Sequence, residues 1–71
     1  MERLADWLKR ELKLDSASYV EHHSHGHLLK GSVQGRDVDL LVVSSGHVWI
    51  KKPQEHSWST TKIYVPDRIL F

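Results

Sequence analysis

Residues 37–52 read DVDLLVVSSGHVWIKK, and this stretch decides the fold. Val38 to Val43 carries apolar side chains on both faces, which predicts a strand sandwiched deep in a sheet. Ser44, Ser45 and Gly46 follow as a tight hairpin turn, and HVWIKK resumes the strand pattern. Within it Val48 and Ile50 share one face while His47, Trp49 and Lys51 share the other.

Outward from this hairpin, glycines at 26, 31 and 35 punctuate further short runs rich in Val, Leu and aromatics. The pattern predicts strands over about 18–24, 27–35, 38–44, 47–52 and 61–65. Pro53 lacks an amide proton for a strand ladder, so PQEHSW is expected to be a loop, and Pro66 to end the last strand. Toward the N-terminus the period changes. Leu4, Trp7, Leu8 and Leu12 recur at helical spacing, with Glu2, Arg3, Asp6, Lys9, Arg10, Glu11 and Lys13 filling the polar arc. Acidic residues early and basic ones late suit the helix dipole. Asp15, Ser16 and Ser18 favour a turn after it. The tail DRILF ends in Ile69, Leu70 and Phe71, an apolar terminus expected to dock rather than float.

The chain has 71 residues, which allows one domain, residues 1–71, with a thin core. Chains this small commonly gain stability from disulfides, a metal or a partner copy, and the absence of cysteine removes the first. No run approaches the length of a membrane span, and the N-terminus lacks a signal-peptide core, so a soluble cytoplasmic protein is expected. Ten Lys and Arg against nine Asp and Glu give a net charge of +1, so any nucleic-acid site must be a local patch.

One helix followed by five short strands resembles the layout of the Sm-like (LSm/Hfq-like) family. The likeness extends to residues. Gly26, Leu29, Gly31, Val33 and Asp37 match the spacing of that family's first motif: glycine, two residues, a hydrophobic, one residue, glycine, one residue, a hydrophobic, then a later aspartate. VDLLVV looks like its third strand and IYVP like its closing strand. Gly26 suits a turn with positive φ, and Gly31 in mid-strand suits the bend that curls such a sheet. The resemblance implies an α+β, mostly β fold: an N-terminal helix and a five-stranded, strongly bent antiparallel sheet forming a small barrel. It further implies a homo-oligomeric ring in which the fourth strand of one subunit pairs with the fifth of the next. Two departures stand out. Lys51 and Lys52 occupy a place where bacterial members have lysine and histidine, and PQEHSWST is a longer connection than theirs.

In such a ring Arg36, Asp37, Lys51 and Lys52 recur around a pore. The resemblance then implies single-stranded RNA binding, with Arg36, Lys51 and Lys52 on phosphates, Asp37 shaping the loop, and Trp49 or Trp58 near enough to stack a base. Large aromatics mostly bury, so Trp49 is expected in the core or between subunits. A protein-binding module on the same fold is the competing expectation, favoured by the near-neutral charge.

The sequence also offers partial patterns for two further chemistries. His23, His25 and His27 alternate and would share one face of an extended strand, as zinc ligands can, but a turn at Gly26 breaks that alternation. The stretch from Asp37 to Lys52 is also similar to a restriction-type nuclease core, with Asp39 and Lys51 in place. Trp49 stands where the second carboxylate belongs, leaving the Mg²⁺ ligand set incomplete. No Ser-His-Asp grouping or phosphate loop is evident. A non-enzymatic protein without cofactor or metal is the expectation.

Overall fold

The computed structural model describes residues 2–70; Phe71 of the apolar tail lies outside the described residues. Helix α1 spans Glu2–Glu11. Strands β1 (Ser16–His23), β2 (Gly26–Val33), β3 (Arg36–Val43), β4 (His47–Lys51) and β5 (Ser59–Tyr64) follow, then a short helix α2 (Asp67–Leu70). The five strands form one antiparallel meander in the order β1-β2-β3-β4-β5.

Leu4, Trp7 and Leu8 are buried as their helical spacing requires. Leu12 falls beyond the last helical residue, because Lys13 turns left-handed at φ 55°. The Leu14 N–H then donates to the Lys9 carbonyl over 2.9 Å, the six-to-one bond that closes a helix end. Leu14 enters the core, and the Asp15 N–H donates to the Ser32 carbonyl at 2.7 Å, which lays β1 onto β2.

Turn chemistry sets the hairpins. Gln34 and Gly35 both have positive φ, 51° and 79°, the primed geometry that matches strand twist. Ser44, Ser45 and Gly46 form the expected tight connection, with the Gly46 N–H donating to the Val43 carbonyl at 2.8 Å. Gly31 has a different task from the bend expected of it. A Cβ there would meet the Ser16 carbonyl oxygen at 2.8 Å and Leu14 at 3.0 Å, so glycine lets the start of β1 cross close to β2.

The core lies on one side of the sheet. Leu29, Leu40, Val42 and Val48 are fully buried there beneath Leu4 and Leu8 of α1, joined by Val65 and by Leu70 of α2. The tail thus docks at least as far as Leu70. β3 is central in the sheet but is not sandwiched. Val38, Leu40 and Val42 are buried, whereas Asp39, Leu41 and Val43 face outward and are only half-buried. The two helices lie on one face, and no element of the described residues covers the other.

The sheet is open, with β1 and β5 at opposite edges. β4 bonds to β3 on one side and to its own β5 on the other, so it has no free edge for a neighbouring subunit. The expected exchange of strands four and five between subunits is therefore satisfied within the chain. Thr61 accommodates a register shift in this last pair: its hydroxyl donates to the Val48 carbonyl at 2.8 Å and accepts from the Ile63 N–H at 3.1 Å.

Candidate nucleic-acid interface

Arg36, Asp37, Lys51 and Lys52 all lie at the end of the sheet where β2 turns into β3 and β4 runs out. Strand alternation divides them between its two sides. Arg36 shares the side of buried Val38 and, with Lys52, lines a hollow of about 520 Å³ completed by Val33, Gln34, Val38, Pro53 and Gln54. Among the described residues neither Arg36 nor Lys52 is in an ion pair. The loop holding Lys52 is itself fastened: the Lys52 N–H donates to Glu55 Oε1 at 3.1 Å, and the Glu55 N–H donates to the Lys52 carbonyl at 3.0 Å. Val33, Val38 and Pro53 supply apolar walls between the two cations. The hollow thus offers positive charge beside surface suited to a flat, uncharged group.

Lys51 and Asp37 belong to the opposite side. Lys51 Nζ sits 3.8 Å from Asp39 Oδ2 and 5.3 Å above the Trp58 ring. Each contact is modest at a partly exposed position, at most about 1 kcal/mol, so an incoming phosphate can compete for Lys51 and a base for Trp58. Among the described residues Asp37 has no side-chain hydrogen bond or ion pair.

Trp49 is outside the buried core. It lies on the outward face, half-buried, within a line of rings along β4 and β5: His47 is 5.3 Å from Trp49 and stacks on Tyr64 at 4.6 Å. His47 Nε2 lies 2.7 Å from the Thr61 carbonyl, which fixes its proton on that nitrogen. Tyr64 is 59% exposed, so the line ends in an open aromatic face. The Trp49 Nε1–H is covered by neighbouring atoms yet has no acceptor. The spacing of His47, Trp49 and Lys51 shows that they share a face; the contribution of Tyr64 comes only from the β4–β5 pairing.

The histidines separate as the turn at residues 24–25 dictates. His22 and His27 stack at 4.6 Å, and Tyr19 Oη lies 2.8 Å from His27 Nδ1, while His23 pairs with Glu21 at 2.8 Å. Burial first, and the charge of His22 second, push His27 below its usual 6.5. Among the described residues no three His, Cys, Asp or Glu side chains converge as a metal ion requires. Asp39 and Lys51, the pair similar to a nuclease core, do face each other, but as an ion pair with Trp49 beside them. No helix of the described residues is long and apolar enough to cross a membrane. Comparison with protein-family models, with curated proteins and with solved structures found no match.

Proposed function

We propose that this is a non-enzymatic, Sm-like protein that binds single-stranded RNA at the β2–β3 and β4 end of its sheet and works as a homo-oligomer. One observation carries the reading: Arg36 and Lys52, free of ion pairs among the described residues, share a hollow around the sheet end from Lys51 and Trp58. Arg36 presents a planar fork to a phosphate and Lys52 a point charge, while Trp58 offers a ring to an unstacked base. Arg36 is the first residue of β3 and Lys52 directly follows β4, so the backbone beneath both cations is already ordered.

The Sm-like side of the proposal rests on the glycine spacing and the helix-then-strands order. A ring would have to join the free edges of β1 and β5, because β4 is already bonded on both sides. The second reading, a protein-binding module, is favoured by the half-apolar outward face.

Fluorescence anisotropy with short U-rich and A-rich RNA at two salt concentrations tests the proposal. Binding that weakens steeply with salt is the expected result. Absent binding, or binding indifferent to salt, would reject it in favour of the protein-binding module.

A further inference from the structure

The uncovered face of the sheet is ordered in rows set by the strand register. One row runs Glu21, Leu28, Leu41 and Trp49 across β1 to β4; the next runs Lys30, Asp39 and Lys51 across β2 to β4, with Ser18 beside Lys30 on β1. The first has an apolar middle with a carboxylate at one end and an indole at the other. The second alternates positive, negative, positive. A bulge between Tyr19 and Glu21 adds Val20, which is 44% exposed, to the β1 side of this face.

We infer that two copies of this chain pair face to face through these rows, about a two-fold axis parallel to the strands and lying between β2 and β3. This axis carries β2 onto the partner's β3 and β1 onto the partner's β4. Leu28 then meets the partner's Leu41, Lys30 meets the partner's Asp39, and Lys51 meets the partner's Ser18. No like charges face each other. Moving the axis onto β3 would set Asp39 against the partner's Asp39 and Lys30 against the partner's Lys51, which like-charge repulsion disfavours. Moving it beyond β3 would leave exposed Val20 uncovered. The chosen axis also brings Glu21 over the partner's Trp49.

Face-to-face packing of two sheets with an apolar centre and a charged rim is a standard arrangement. It relieves the thin core of a 71-residue chain without disulfide or metal. It leaves β5, and the Arg36 and Lys52 hollow on the other side of the sheet, free. Lys51, an RNA contact in the proposed function, lies within this contact, so pairing takes it up while leaving Arg36 and Lys52 available; the test of pairing needs no RNA.

Sedimentation velocity over a wide concentration range should show a dimer that dissociates on dilution. Leu41→Glu should give a monomer that keeps its circular dichroism spectrum. Lys30→Glu alone and Asp39→Lys alone should each weaken self-association by about tenfold or more, since each creates two like-charge contacts per dimer. Mixing these two variants should restore association, because in the mixed pair both contacts become opposite in sign. Pairing of residues 30 and 39 within one chain cannot produce that rescue. A wild-type monomer at every concentration, a dimeric Leu41→Glu, or a mixture no tighter than either variant alone would overturn the inference.

Discussion

Replacing Arg36 and Lys52 together with alanine removes both cations of the hollow, and the expected change can be worked out before measurement. Each phosphate neutralised on a single strand contributes about 0.7 to the slope of log affinity against log salt. Arg36, Lys51 and Lys52 together give a slope of about 2, so a fourfold rise in salt weakens the wild type about twentyfold. With Lys51 alone remaining, the slope falls to about 0.7 and the same rise in salt costs about threefold. Both replaced side chains are exposed, so stability should change by no more than about 0.5 kcal/mol and a lost slope is not a lost fold. Lys9→Ala with Arg10→Ala is the matched control, because α1 carries its own cationic hollow lined by Asp6, Lys9, Arg10, Lys13 and Leu14. Anisotropy titrations across salt should leave the control slope unchanged. If the Arg36 and Lys52 variant keeps the wild-type slope, or the helix variant loses it, RNA is held elsewhere and the assignment fails.

Gly31→Ala should destabilise by about 1–3 kcal/mol in urea denaturation, since its Cβ would press on the Ser16 carbonyl and on Leu14; no loss would mean that β1 can shift away freely. Lys13→Gly should raise stability by up to about 1 kcal/mol by relieving a left-handed lysine, less the extra freedom glycine gains when unfolded; a loss would show that the lysine side chain matters more than its φ. His27 has its pKa lowered in the folded state, so the unfolded chain takes up the proton first and this residue's contribution is lost as pH falls below 6.5. The urea midpoint should drop between about pH 7 and pH 5, and His27→Gln should flatten that drop; an equal drop in the variant would assign it to other groups.

The helix was legible because Leu4, Trp7 and Leu8 repeat at 3.6-residue spacing, and the strands because turn residues bracket each of them. What the spacing could not show is the point at which a helix stops when its closing residue is a lysine. Lys13 takes the left-handed position usually held by glycine, and so Leu12 is carried past the end. The apolar run Val38 to Val43 pointed to a strand covered on both sides. Its composition is the same whether the second layer comes from the chain itself or from another molecule, and here the described residues supply only one. Likewise the seven-residue connection from Lys52 to Trp58 does not state whether β5 returns to β4 or leaves for a neighbour. Hydrogen bonds at Thr61 settle the return, and a threonine in a strand carries no such signal. Of the candidate site, the division of Lys51 from Lys52 follows from strand alternation alone, while the joining of Arg36 to Lys52 depends on how β3 and β4 are paired.

That division has a consequence for how RNA must run. Lys51, above Trp58, and Lys52, in the hollow with Arg36, are consecutive in sequence yet face opposite sides of one sheet. A ligand using both must therefore pass around the sheet end instead of lying along a face, which a flexible single strand can do and a stiff duplex cannot. The outward face, if covered by a second copy, takes up Lys51 but leaves the Arg36 and Lys52 hollow and β5 open, so a dimer would present two such hollows. One RNA reaching both would gain effective concentration at the second, and a longer strand should then bind more tightly than its per-site affinity predicts. Leu41→Glu should abolish the gain for long RNA without weakening short RNA, and equal loss on both would break the link between pairing and binding.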